Sequence, residues 1–304
     1  MQVPLDLAGI LPPVATPFVD DEVDLAALRA NCERWMATGL RGILLLGTNG
    51  EAPLIRDDEA VRLVAAAREV VPEDRVLLVG TGRQATRDVI ALSRSVAREG
   101  ADAVLVLTPS VYRNQLTPAA LIAHYHAIAD GSPVPVLLYN MPQATGVTLT
   151  PAIVQELASH PNITGIKESS GDVAVVGELV ARVPRDFPVV VGAAASLYAS
   201  LMVGATGAIV AIANVVPDLV VRLFDLARAG RHDEALALQR TLAPLAAAVT
   251  TGYGVPGLKV AMALAGYRPG QPRRPLVPLD EDASRKIRGL FETLSTRADA
   301  LTVS

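Results

Sequence analysis

Asn162-Ile163-Thr164-Gly165-Ile166-Lys167-Glu168-Ser169-Ser170-Gly171 is an apolar, strand-like run that stops on a lysine and passes at once into small polar residues. Lysine is rare here. Lys167, Lys259 and Lys286 are the three, against 24 arginines (27 Lys+Arg minus 3). A chain that writes its surface cations as arginine has little structural need for lysine at a strand end. Arginine stays protonated and cannot attack a carbonyl, whereas a desolvated lysine can lose its proton and form a Schiff base. Most buried lysines are instead salt-bridged or snorkel to the surface. Position is what separates Lys167 from that ordinary case.

Seven further apolar or β-branched runs recur along the first two-thirds of the chain. Together the eight cover 9–18, 42–46, 76–79, 103–107, 134–139, 163–167, 188–191 and 207–212. Between most of them lie segments of helical period. In 85–99, Val89, Leu92, Val96 and Ala97 fall on one face, while Arg87, Asp88, Arg94 and Arg98 fall on the other. Continuous apolar strands alternating with amphipathic helices describe a parallel sheet covered by helices. Eight such units in 304 residues specify an α/β fold, a (β/α)8 TIM barrel. A doubly wound sheet needs fewer strands, and no G-x-G-x-x-G follows any run. After Pro217 the pattern is helical to the end, over 218–229, 232–250, 257–265 and 281–298. Only the first of these closes a barrel. The expected organisation is therefore a catalytic barrel over 1–229 and a C-terminal helical appendage over 230–304, joined through the proline-rich loop 268–278.

Composition narrows the function. Net charge is -4, with no basic cluster, so nucleic acid is not an expected partner. The single Cys32 excludes an internal disulfide and any Cys-based metal cluster, and reads as a buried, inert thiol. No charge falls between Asp186 and Asp218, but prolines, glycines and Asn214 interrupt that stretch, which suits strand–helix–strand better than a membrane span. The N-terminus lacks the features of a signal peptide, and a cytoplasmic location is expected.

In a barrel of this kind, chemistry collects where strands end and loops begin. Those ends read Thr16-Pro17, Gly47-Thr48-Asn49-Gly50-Glu51, Gly80-Thr81-Gly82, Thr108-Pro109, Tyr139-Asn140, Lys167-Glu168-Ser169, Gly192 and Ala213-Asn214. They carry small, hydroxyl or amide groups and one lysine. His124, His126, His160 and His232 all fall in helices or helix ends, too scattered for a metal site. Neither a metal nor another cofactor is expected. The two glycines of 47–50 allow a tight turn with exposed N–H groups, to which a following helix would add its positive end. Such a nest suits a small carboxylate, and with Lys167 it describes a site for a 2-oxo acid. If Lys167 points into the barrel, Gly165 and Ser169 share its face, while Ile166 and Glu168 face the helices. Gly165 would then leave room for the lysine stem, Ser169 would hold a substrate oxygen, and Glu168 would be structural. Tyr139, ending its own strand, is the expected proton carrier.

These residues resemble the dihydrodipicolinate synthase / N-acetylneuraminate lyase superfamily of class I aldolases. The likeness runs from Gly9 to about Leu279 and is carried by Gly-Thr-Asn-Gly-Glu (47–51), Tyr-Asn-Met-Pro (139–142) and Gly-Ile-Lys-Glu-Ser-Ser-Gly-Asp (165–172). The resemblance implies a pyruvate-dependent lyase, with Lys167 as Schiff-base former and Tyr139 as general acid/base. It implies Thr48 and Asn49 as carboxylate binders and proton-relay groups, Gly192 and Ile209 as pocket-lining positions, and a homotetramer built as a dimer of dimers. Within the superfamily the likeness is greatest to 4-hydroxy-2-oxoglutarate aldolase, through Asn49, Tyr112-Arg113, Ala213-Asn214-Val215 and 254–259. Two departures stand out. Where synthases of this group carry an arginine for the acceptor carboxylate, this chain has Ala144, and where many members carry a tyrosine that reaches a neighbouring subunit, it has Val111 beside Tyr112.

The leading expectation is cleavage of a 4-hydroxy-2-oxo acid such as 4-hydroxy-2-oxoglutarate, with Gln143 or Ser169 holding the distal end. The competing expectations are dihydrodipicolinate synthase, condensing pyruvate with aspartate semialdehyde, and a sugar-acid dehydratase working through the same imine. A binding protein that keeps only the fold is the alternative from outside enzymology. It has no use for a nucleophilic amine.

Overall fold

The eight expected strands form one parallel sheet that curls into a barrel. The structure, a computed structural model, describes residues 5–302. The strands are Ile10–Leu11, Gly42–Leu45, Val76–Gly80, Ala103–Leu107, Val136–Asn140, Ile163–Glu168, Val189–Val191 and Gly207–Ile209. Each pairs with the next from the second strand onward, and the first pairs with the eighth through Ile10↔Ala208 and Leu11↔Ile209. The remaining seam is closed by Pro13 against Leu44, with Leu44 N donating to Pro12 O (2.9 Å) and Val14 N to Leu44 O (2.8 Å). This seam covers the edges of the eight-stranded sheet, and this matters because an open edge invites pairing with another chain.

Alternation along each strand divides the core in two. Leu11, Leu44, Leu78, Leu105, Leu137, Val190 and Ile209 fill the barrel interior. Their strand neighbours point outward into the larger layer beneath the helices, where Trp35, Leu63, Val96 and Tyr125 are buried. The helix Thr86–Arg98 buries Val89, Leu92 and Val96, as its period requires, while Arg87, Asp88, Arg94 and Arg98 stay exposed. Asp24 caps the first helix, Leu25–Met36, by accepting from Ala27 N. Cys32 is fully buried in that helix, and burial pushes its thiol up to about 12.

The charge-free stretch after Asp186 resolves into strand, short helix Leu197–Met202 and strand. Among the described residues no helix is long and apolar enough to cross a membrane. Beyond Pro217–Arg228 come His232–Ala247, a π-helical segment Ala248–Gly252, Gly254–Leu264 and Glu281–Thr302. His232–Ala247 packs against Pro217–Arg228 on one side and Glu281–Thr302 on the other. The loop after Gly254–Leu264 is anchored, with Gln271 N donating to Phe18 O (3.0 Å).

Candidate active site

Register brings the expected groups together. Tyr139 lies directly opposite Lys167 on the neighbouring strand, and Lys167 lies opposite Val190 on the next. Both side chains point into the barrel mouth and both are buried, Lys167 at 3% exposure. The Lys167 ammonium nitrogen faces the Tyr139 ring, 4.4 Å from its centroid. No hydrogen bond or ion pair to another described residue engages that nitrogen. The Tyr139 hydroxyl lies 3.3 Å from Thr48 Oγ1 and donates to Met141 Sδ at 3.1 Å. Thr48, Tyr139 and Lys167 thus form a contiguous polar track at the inner ends of three strands.

These residues line a cavity of ≈ 420 Å³ together with Asn49, Gln143, Ser169, Gly192 and Ile209. Every substrate-binding residue expected from the sequence therefore meets in one place. Ser169 Oγ is buried and has no hydrogen-bond partner among the described residues. Glycine is required at 192, since a Cβ there would lie 1.8 Å from Ser169 Oγ and 3.1 Å from Lys167 Cε. Gly165 plays a different part from the one expected. A Cβ on it would meet Pro188 O at 3.0 Å and Leu137 Cγ at 3.6 Å, so the crowding comes from the flanking strands and not from the lysine stem. Glu168 is structural as expected, accepting from Asn140 Nδ2 (2.6 Å) and Ser170 N (2.6 Å).

The loop 47–51 also differs in detail. It is a tight 3-10 turn, Thr48–Gly50, followed by another, Ala52–Leu54, and the next α-helix starts only at Asp57. That helix places Asp57, Asp58 and Glu59 in its own first turn, so its positive end is already compensated. Within the turn, Gly50 N and Ala52 N donate to Gly47 O and Glu51 N donates to Thr48 O, and Thr48 and Asn49, as its first residues, have no acceptor within it.

Behind the turn lies a group of charges that the strand-end reading missed. Lys259 is as buried as Lys167, and its Nζ lies 2.7 Å from Glu51 Oε1 while donating to Thr16 O (2.8 Å) and Gln271 O (2.7 Å). Burial lowers its pKa from the ordinary lysine value, and the Glu51 charge pulls the other way. Arg273 N donates to Glu51 Oε2 (2.7 Å), and the Arg273 guanidinium pairs with Glu59, 2.7 Å away, holding that carboxyl below the usual carboxylate range. The C-terminal segment thereby ties down the loop that carries Thr48 and Asn49.

That segment also supplies part of the cavity wall, through Ala246, Ala247, Val249, Thr250, Thr251, Gly254 and Val255. The sequence signal for it was present as Thr250-Thr251-Gly252, a break in an otherwise helical run. Tyr112 and Val111 stand exposed outside this wall, and Arg113 packs over Gly146 in a separate surface depression. Among the described residues no group of three or more His, Cys, Asp or Glu side chains could hold a metal ion.

A parallel eight-stranded barrel with an unpaired lysine and a tyrosine at its mouth defines a class I aldolase scaffold. The chain belongs to the dihydrodipicolinate synthetase family, whose sequence model matches residues 6–294. It is a lyase of the pyruvate-dependent class I aldolase type. A 4-hydroxy-tetrahydrodipicolinate synthase from Exiguobacterium sp. is 37% identical over 285 residues, 93% of this chain and 97% of the relative. Among solved structures, YagE from E. coli K12, a prophage protein of the dihydrodipicolinic acid synthase family in complex with pyruvate, superposes with a TM-score of 0.90. It is 31% identical, covering 95% of this chain and 98% of that one. The 4-hydroxy-tetrahydrodipicolinate synthase of Methylacidiphilum fumariolicum SolV gives a TM-score of 0.91 at 30% identity, with 97% and 98% covered.

Proposed function

We propose that Lys167 forms an imine with pyruvate or a pyruvate-derived 2-oxo acid, and that the enzyme makes and breaks the C3–C4 bond of a 4-hydroxy-2-oxo acid. The observation that carries this reading is a buried amine without a hydrogen-bond partner, open to a cavity beside Tyr139. In the cleavage direction Lys167 Nζ adds to the C2 ketone, and the carbinolamine loses water to give the imine. Tyr139, acting with Thr48, takes the proton of the C4 hydroxyl. The C3–C4 bond then breaks, the aldehyde leaves, and the electron pair moves into the enamine. Protonation at C3 and addition of water release pyruvate and restore the amine, so the water lost earlier is regained. Thr48 and Asn49 hold the substrate carboxylate, Ser169 Oγ holds an oxygen near the lysine, and Gly192 and Ile209 shape the floor.

Incubation with pyruvate and borohydride should leave a reduced adduct on the peptide containing Lys167. No adduct, or one on Lys259 or Lys286, would overturn the assignment. Turnover should survive a chelator, because the protonated imine already supplies the electron sink that a Lewis acid would provide.

A second reading is 4-hydroxy-tetrahydrodipicolinate synthesis, condensing pyruvate with aspartate semialdehyde. The names of the relatives favour it. Ala144, where the resemblance leads one to expect an arginine, argues for the first. The working unit we propose is a homotetramer in the cytoplasm, each copy a barrel over 1–229 with a helical region over 230–304 that completes its site. Light scattering showing a monomer at working concentration would contradict it.

A further inference from the structure

The cavity's charge and hydrogen-bonding character bear on which aldehyde it takes, a question that rests on the imine reading above. Lys167 and the Thr48–Asn49 turn define the end where the 2-oxo acid is held. Much of the remaining wall is alanine and valine, Ala144, Ala194, Ala247 and Val249 among them, with Gln143, Thr250 and Thr251 as its polar members.

What those polar groups still have to offer is limited. Thr250 Oγ1 donates to Ala246 O (2.7 Å) and Thr251 Oγ1 to Ala247 O (3.3 Å), so each hydroxyl proton is spent on its own helix. In that arrangement the threonine oxygens face the cavity chiefly as hydrogen-bond acceptors. Gln143 Nε2 donates to Ser169 O at 2.6 Å, leaving one N–H and the carbonyl oxygen. Among the described residues, Lys167 is the one cationic side chain on this wall. The cavity beyond Thr48 and Tyr139 has Arg83 on its wall, but Arg83 is engaged with Asp57 (2.8 Å) and Gly82 O (3.0 Å).

A carboxylate at the distal end would face methyl groups, two threonine hydroxyls already bonded within their own helix and one neutral Gln143 N–H. Gln143, Ala144, Thr250 and Thr251 are exposed, so what a carboxylate lacks here is a charge-assisted hydrogen bond from a paired cation, not shelter from water. A hydroxyl group fits well, since it can donate to a threonine oxygen or to the Gln143 carbonyl and accept the remaining N–H. We infer that the aldehyde half of the substrate is a short, uncharged hydroxyaldehyde, and that the 4-hydroxy-2-oxo acid therefore bears its only carboxylate at the C1 end. Of the two residues expected at the distal end, Gln143 keeps that place through its remaining N–H and carbonyl, and Ser169 falls at the lysine end.

The test compares kcat/KM for condensation of pyruvate with glyceraldehyde, succinic semialdehyde and aspartate semialdehyde, on enzyme whose borohydride adduct at Lys167 has been verified. Glyceraldehyde should be preferred by about tenfold or more, the range expected when one charged group loses its partner. Ala144→Arg should narrow or reverse that preference by raising the activity of the carboxylated aldehydes, without loss of the pyruvate adduct. Equal or better use of either carboxylated aldehyde by the unmodified enzyme would overturn the inference. So would failure to turn over glyceraldehyde while the adduct forms normally. Loss of the adduct itself would instead strike at the imine reading.

Discussion

Two lysines lie buried in this molecule to the same extent, 3% exposed, and their surroundings differ in almost every respect. Lys259 has a carboxylate oxygen and two backbone carbonyls within 2.8 Å, and a phenyl ring 4.7 Å away. Two of its N–H groups are hydrogen-bonded, and its charge is paired with Glu51. Lys167 faces the Tyr139 ring and an open cavity. Burial alone does not make a nucleophile. An amine locked in an ion pair and two hydrogen bonds holds a structure together, whereas one left without partners beside a cavity is available for covalent chemistry.

The contrast is testable at several levels, and the largest effect belongs to Lys167. Lys167→Arg preserves positive charge but cannot form the imine, so turnover and the borohydride adduct should both disappear. Retention of either would break the comparison. Tyr139→Phe keeps the ring under the amine and removes the phenol. A loss of about 10²–10⁴-fold in kcat is expected, with the adduct still trappable. An unchanged kcat would assign the proton transfer elsewhere.

Lys259→Met should act on stability first. It strands the Glu51 carboxylate in the interior, a change that typically costs about 3–5 kcal/mol. A fall in Tm on the order of 10 °C is expected. The double variant Lys259→Met with Glu51→Gln should recover much of that loss, because no unpaired charge remains. Since Glu51 sits at a left-handed φ of 58° at the end of the turn bearing Thr48 and Asn49, the folded single variant should also show a raised KM for pyruvate. Its Lys167 adduct should persist. A variant with unchanged Tm and KM would mean that the ion pair does not hold the turn.

Acid provides the smallest effect and a control on the others. Burial lowers the His124 pKa from 6.5 to about 4. Between those values the unfolded chain takes up a proton that the folded one refuses, so stability falls as pH drops through this window, by about 3 kcal/mol in full. His124→Phe should flatten the Tm profile between pH 6.5 and 4, though it also removes the bond from the ring to Thr86 Oγ1. Above pH 6.5 this contribution is absent, so the two lysines are best compared there. An unchanged acid slope in the variant would place the titration on other groups.

Much of this was legible in the sequence because it is local. Eight apolar runs of strand length, separated by helical period, fix the count of strands, and the count fixes the barrel. Alternation within 163–169 put Lys167 and Ser169 on the inner face and Glu168 on the outer one, and the side chains lie accordingly. The rarity of lysine marked position 167 as unusual. Tyr139 and Lys167 each read as a strand end, a parallel barrel aligns such ends at one rim, and the structure supplies the register that sets them opposite each other.

What tertiary structure alone decided involves partners far apart in the chain. Lys259 and Glu51 are two unremarkable charges in sequence, and only packing of Gly254–Leu264 against the barrel rim makes them a buried pair. The same packing turns 246–255, which reads as helix and helix end, into part of the wall where the aldehyde would sit. The room at Gly165 is needed by Pro188 and Leu137 on neighbouring strands, and no pattern within its own strand could show that. Sequence periodicity reports which face a residue takes on its own element. It carries no information about what the folded chain sets against that face, because that contact depends on the joint placement of elements hundreds of residues apart.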